Sequence, residues 1–99
     1  MYRVVFAPEA ERQLVDLYKQ LAAVASTEVA DAYVGAIIES CESLRTIPMR
    51  ETLREDIRPG LRTFGFRKRV TIAFEVSRKR VTILGVFYGG RDLRSAFEE

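Results

Sequence analysis

Tyr2, Val4 and Phe6 alternate with Arg3 and Val5, the period-two signature of a short strand with at least one buried face. From Pro8 the period changes. Ala10, Leu14, Leu17, Leu21 and Val24 recur at three- and four-residue spacing, one apolar stripe along a helix, while Glu11, Arg12, Asp16, Lys19 and Gln20 fall largely off it. Pro8 suits the first helical position, and Glu9 and Glu11 put negative charge near the positive end of the helix dipole. Ser26 and Thr27 break the stripe, and Ser26 predicts an N-cap for a second helix with Glu28 in its first turn. Ala30, Tyr33, Val34, Ile37, Cys41 and Leu44 form that helix's stripe, and Pro48 requires it to end earlier because a residue before proline avoids helical geometry. The result is an αα-hairpin. Shared packing on a sheet face explains both stripes most simply; a helix dimer interface is the alternative.

The segment Met49 to Gly60 is too polar and aperiodic for a core element and predicts a surface loop ending at Pro59-Gly60. Phe64 and Phe66 alternate around Gly65 in a strand from Leu61 to Arg67 that can bulge or bend at the glycine. Val70, Ile72, Phe74 and Val76 alternate with Thr71, Ala73 and Glu75, the clearest strand in the chain. After a short charged connector at Ser77 to Arg80, Val81 to Tyr88 is apolar on both faces and predicts a central strand paired to the previous one as a hairpin. The tail from Gly89 onward has no sustained period and predicts exposure. The order β-α-α-β-β-β defines an α+β fold, with a helical hairpin packed on one face of an antiparallel sheet. The other face, carrying Thr71, Glu75 and many arginines, is expected to be concave and basic.

At 99 residues, 47% of them hydrophobic and 30% charged, the chain predicts one ordinary soluble globular domain spanning residues 1–99. No run has the length of a membrane span, and nothing at the N-terminus resembles a signal peptide. The lone Cys41 has no disulfide partner, fits a reducing compartment, and reads as a small core residue rather than a reactive thiol. Charge is uneven. Residues 1–45 carry four basic and seven acidic side chains, residues 46–99 twelve basic and seven acidic, and most of the basic ones are arginine. Arginine suits bidentate contact with phosphate or carboxylate, so the C-terminal half predicts an anionic partner.

The absence of histidine removes the commonest general base and metal ligand, and with it serine- and cysteine-type triads. Glu51, Glu55 and Asp56 form no convincing metal cage and read as a solvated charge cluster; neither a metal nor a cofactor is expected. The glycines at 85, 89 and 90 match no phosphate-binding loop. What remains is Arg58, Arg62, Arg67, Lys68, Arg69, Arg91 and Arg94, with Tyr88 ending the last strong strand. These groups can bind phosphate, and in principle cleave RNA by stabilising a phosphorane while Tyr or Lys moves protons. The plainer alternative is solvated charge guarding strand edges.

The ordered set Val5-Phe6-Ala7-Pro8-Glu9-Ala10, Asp16-Leu17, Leu44 with Pro48, Gly60-Leu61-Arg62, Ile72 with Phe74, Val81-Thr82-Ile83 and Gly89-Gly90-Arg91-Asp92 resembles the RelE/ParE family of toxins over nearly the whole chain. The resemblance implies a type II toxin-antitoxin module. Its RelE-like members cut messenger RNA on the ribosome; its ParE-like members poison DNA gyrase without being nucleases. The two long helices and the Gly60-Leu61-Arg62 segment leading to a Gly-Gly-Arg-Asp ending are more similar to ParE, although Tyr88 stands where many ParE-like chains carry histidine.

Under the ParE reading no residue is catalytic and the seven basic side chains contact gyrase. Under the RelE alternative Arg62 and Arg69 clamp the scissile phosphate, Tyr88 assists proton transfer and Arg91 neutralises charge. A third reading is a binding module that only retains antitoxin binding. The resemblance also implies a cognate, ParD-like antitoxin in a cytoplasmic hetero-oligomer that arrests growth when the toxin is released. Leu14, Tyr18 and Leu21 are the candidate antitoxin contacts, with a core role as their alternative.

Overall fold

A computed structural model describes residues 1–89 and 93–97. Strand β1 (Arg3–Phe6) leads into helix α1 (Pro8–Val24), which begins without a side-chain cap. Ala7 is extended there, so the start depends on the preset φ of Pro8 and on Glu9 and Glu11 in the first turn. Ser26 caps α2 (Thr27–Glu42) as predicted, its hydroxyl accepting the Val29 N–H at 3.1 Å. Two 3-10 turns, Ser43–Arg45 and Pro48–Arg50, follow. Both helical stripes are real: Ala10, Leu14, Leu17, Ala30, Val34, Ile37, Cys41 and Leu44 are buried against the sheet. Val24 is the exception, 77% exposed at the end of α1.

The region expected as a loop contributes a two-residue edge strand, β2 (Thr52–Leu53), paired to β3 (Arg62–Phe66). Strands β4 (Val70–Ser77) and β5 (Arg80–Tyr88) complete the sheet in the order β1-β5-β4-β3-β2. The α+β fold is as expected, but the sheet is mixed, because β1 runs parallel to β5. The reason is a matter of parity. The end of the helical hairpin returns the chain to the start of β1, where the Tyr2 N–H donates to the Arg45 carbonyl at 2.8 Å. Strands β3, β4 and β5 then alternate direction, which points the third of them the way β1 points.

The helix-covered face of β4 is the alternating set Val70, Ile72, Phe74 and Val76. In β5 the alternation breaks. Ala73 pairs with Gly85 but Phe74 pairs with Ile83, so Leu84 is an extra residue, a β-bulge. Before it Val81 and Ile83 face the helices; after it Val86 and Tyr88 do, while Leu84 and Phe87 turn to the opposite face. The Val86 N–H donates to the Gln13 side-chain oxygen of α1 at 2.6 Å, so the helix itself satisfies a donor beside the irregular ladder.

The outer face is not the bare basic concavity expected. Leu61, Ala73 and Phe87 are buried there in a second apolar cluster, joined by Ile57, Leu84, Leu93 and Phe97. The tail is accordingly not simply exposed: a one-turn helix, α3 (Leu93–Ala96), brings Phe97 edge-on to Phe87 with ring centroids 6.1 Å apart. Phe97 is half-buried there, so the contact gives a segment without sequence period an apolar partner on the sheet.

Cys41 is fully buried and its thiol is pushed up to about 12 by desolvation, with Glu42 adding to the effect. It is therefore a packing residue, unreactive in the folded chain.

Replacing Gln13 by Leu leaves the Val86 N–H without its acceptor. Gln13→Leu is expected to lower unfolding free energy by about 1–3 kcal/mol in urea titrations; an unchanged midpoint would show that the bulge does not need the helix.

Candidate functional site

Strand β4 has eight residues and so spans about 26 Å, and the hairpin turns at its two ends carry much of the positive charge. At one end, between β3 and β4, Arg67 and Lys68 adopt left-handed backbone with φ of 50° and 62°. The turn is closed by the Arg69 N–H donating to the Phe66 carbonyl at 3.1 Å. The Arg67 guanidinium lies over the rings of Phe66 and Tyr33, 4.8 and 5.5 Å from their centroids, a pair of cation–π contacts. Tyr33 packs edge-on to Phe66 and to Tyr88 at 5.5 and 6.2 Å. Its hydroxyl is buried without a hydrogen-bond partner among the described residues. Burial raises its pKa, the neighbouring Tyr88 adds to this, and Arg67 and Arg69 oppose it.

Of the sequence-derived site residues, Arg67, Lys68, Arg69 and Tyr88 thus gather at this one end of the sheet. Arg62 does not. It lies four residues before Phe66 on β3, about 13 Å along the strand, and its guanidinium donates to the carbonyls of Glu51 and Met49 at 2.9 and 3.2 Å. That role is structural, since it ties the 3-10 turn and β2 to the sheet edge.

Arg58 and Arg94 belong to a third place, on the outer-face cluster. Arg58 sits over the Phe97 ring at 5.6 Å and pairs with Glu75 at 3.4 Å. Arg94 reaches the Asp56 carboxylate at 2.8 Å, and Arg54 holds the same carboxylate through two contacts of 3.0 and 3.1 Å. The hydrogen bond from Arg54 is the chief cause that lowers the Asp56 carboxyl to about 2, with Arg94 assisting against desolvation. Asp56, exposed as expected of a solvated cluster, also ties the loop to α3. Arg91 lies outside the described residues.

Leu14 and Tyr18 line an apolar groove of about 590 Å³ with Phe6, Val15, Val34 and Ile38, and with Glu11 and Lys19 at its rim. Leu21 does not line it; its half-buried side chain packs against the main core. Val15 and Ile38 are 50% and 38% exposed and were missed, although both are large apolar residues off their helices' stripes, which is the signal that marks a second apolar face. A hydrogen bond to the Asp31 carboxylate raises the Tyr18 pKa, with desolvation and the charges of Asp31 and Glu28 adding to it. Tyr18 therefore stays a neutral donor at the groove.

An αα-hairpin on a five-stranded mixed sheet, with charge at the hairpin ends and an apolar groove on the helices, fits the fold that the resemblance to the RelE/ParE toxins implies. The family profile described as the ParE toxin of the type II toxin-antitoxin system, parDE, matches residues 4–93, and the chain belongs to that family. A solved structure described as a chromosomal ParDE system from P. aeruginosa superposes with a TM-score of 0.80 at 22% identity, over 90% of this chain and 97% of that one. No curated protein sequence matches the chain.

Asp56 is depressed from its ordinary 3.8, so its contribution to stability is present above about pH 4 and is lost as pH falls towards 2. Asp56→Asn is expected to melt below wild type at pH 7, with the gap closing between pH 4 and 2. A gap that persists unchanged at pH 2 would mean the ion pairs do not hold the loop.

Proposed function

We propose that this ParE-family toxin acts by inhibiting DNA gyrase, without being a nuclease, and that a cognate antitoxin neutralises it by binding the groove between its helices. The observation that carries the non-nuclease reading is the commitment of Arg62 to backbone carbonyls, about 13 Å of strand from the end where Arg69 and Tyr88 meet. A phosphate clamp made of Arg62 and Arg69 needs both guanidinia on one group, and Arg62 is already engaged.

The target-binding role then falls to the β3–β4 turn, with Arg67, Lys68 and Arg69 facing an acidic surface of gyrase. Arg58 and Arg94 act mainly by holding the outer face together through Glu75 and Asp56. For the antitoxin, an amphipathic segment would lay apolar side chains against Phe6, Val15, Tyr18 and Ile38 beside the open edge of β1. The module works as a hetero-oligomer in the cytoplasm, a setting that suits a reduced, buried Cys41.

Purified toxin should inhibit gyrase supercoiling and trap cleaved DNA, with relief on adding antitoxin, and should leave messenger RNA intact in cell-free translation. Lys68→Asn with Arg69→Gln removes two charges, asparagine tolerating the left-handed backbone at 68, and is expected to raise the inhibitory concentration at least about tenfold. Cleaved message with unaffected gyrase would overturn the assignment.

Val15→Glu with Ile38→Glu places two carboxylates in the groove while sparing the buried stripe. It is expected to weaken antitoxin capture by more than about a hundredfold with gyrase inhibition retained. Undiminished capture would move the antitoxin site elsewhere.

A further inference from the structure

The charged connector after β4 is used by none of the roles above, and the fold gives it company. Arg78, Lys79 and Arg80 form the β4–β5 turn, at the opposite end of the sheet from Arg67 to Arg69. They line a concave site of about 1020 Å³ together with Arg3 from β1 and Arg45 from the 3-10 turn after α2. These five cations come from three separate stretches of the chain, brought together by the Tyr2 to Arg45 and Arg3 to Lys79 backbone hydrogen bonds, both 2.8 Å. The site faces one carboxylate, Glu42, and no ion pair forms between any of them and an acidic side chain among the described residues.

Two features make this more than scattered surface charge. Arg3 and Arg80 are direct partners in the parallel β1–β5 ladder, so two like charges stand on neighbouring strands about 4.8 Å apart at the backbone. Like charges directly across a ladder are destabilising, and among the described residues neither arginine forms an ion pair. Arg78 also holds left-handed backbone, φ 41°, at the turn. A glycine or asparagine suits such a position better, so the cation stands there at a cost in backbone strain.

We infer that this end of the sheet is a docking site for the phosphate backbone of duplex DNA, bound without regard to sequence. Four of the five cations are arginines, whose forks meet phosphate oxygens bidentately. A protein partner is a poorer fit, because protein interfaces deplete charge at their centre, whereas five of the ten residues lining this mouth are cations against the single carboxylate of Glu42, a balance closer to that of nucleic-acid interfaces. Single strands are bound by stacking on exposed aromatic rings, and the one ring here, Tyr2, is packed half-buried against the core. Duplex RNA is read largely through its 2′-hydroxyls, for which the site offers only Ser77 and the Tyr2 hydroxyl as neutral polar side chains.

The test is fluorescence anisotropy of the full chain with a labelled 20-base-pair DNA duplex from 50 to 200 mM salt, beside a duplex RNA, a single strand and a poly-glutamate peptide. With four to five phosphates neutralised, affinity for DNA should fall about 150- to 500-fold across that range. Arg78→Asn with Lys79→Gln should weaken binding at 50 mM salt at least about tenfold and reduce the salt slope by about 2. The charge-matched Lys68→Asn with Arg69→Gln variant should lose under about threefold, as expected for charge removed far from the site. Arg3→Gln with Arg45→Gln, read with far-UV circular dichroism, repeats the loss from different elements should the turn variant misfold. Equal losses in the two turn variants, absent DNA binding at 50 mM salt, or tighter binding of poly-glutamate, single strand or duplex RNA than of DNA would each overturn the inference. The DNA measurement uses no gyrase, so its failure leaves the gyrase reading standing and the reverse also holds.

Discussion

One extra residue in β5 decides how both faces of this sheet are used. The bulge at Leu84 shifts the strand's parity, so that Val81 and Ile83 face the helices below it and Val86 and Tyr88 above it, while Leu84 and Phe87 are delivered to the far side. A regular strand of this sequence would direct Phe87 at the helices and Val86 away from them. The irregularity is tolerated because Gln13 of α1 reaches the Val86 N–H. Helix and strand are thus joined by a polar contact as well as by the packing of Leu14 and Leu17. Gly85 belongs to the same device: a Cβ there would come within 2.6 Å of the Phe87 ring, so the ring's place on the outer face depends on a residue with no side chain.

Once both faces are apolar, the charge has nowhere to go but the ends and the edges. The helical layer takes one face, and the cluster of Leu61, Ala73 and Phe87, closed by Leu93 and Phe97, takes much of the other. Among the described residues, some arginines are committed to structure, as Arg62 is to the Glu51 carbonyl and Arg54 to Asp56, and others stand at the hairpin turns. This division separates a domain's fastening charges from its display charges. A guanidinium paired with a carboxylate contributes little net field, while those on the β3–β4 and β4–β5 turns project it from opposite ends of the molecule.

Much of this was legible in the residue pattern. Ser26 as a cap, Pro8 as a helix start, the two helical stripes and the alternation from Val70 to Val76 all report on contacts within a few residues, where local sterics and hydrogen bonding decide the outcome. The ordered motifs also carried the family. The candidate site was legible only in part. Arg67, Lys68 and Arg69 are adjacent in sequence and remain together, but Arg62 looked equivalent to them on charge alone. Its separation is a matter of register, and register depends on which strand pairs with which.

The sequence by itself determined the two long helices, the four longer strands, their order, the α+β class and membership of the toxin family, because periodicity and capping are local and the family's motifs are written in consecutive residues. Only the tertiary structure decided that β1 would lie parallel to β5, that the tail would fold back through Phe97, and that Arg3, Arg45 and the 78–80 turn would face one cavity. Those outcomes depend on contacts between residues up to some 77 positions apart, such as the pairing of Arg3 with Arg80. Pairings at that range are selected by the closure of the whole core, and no short window of sequence contains them.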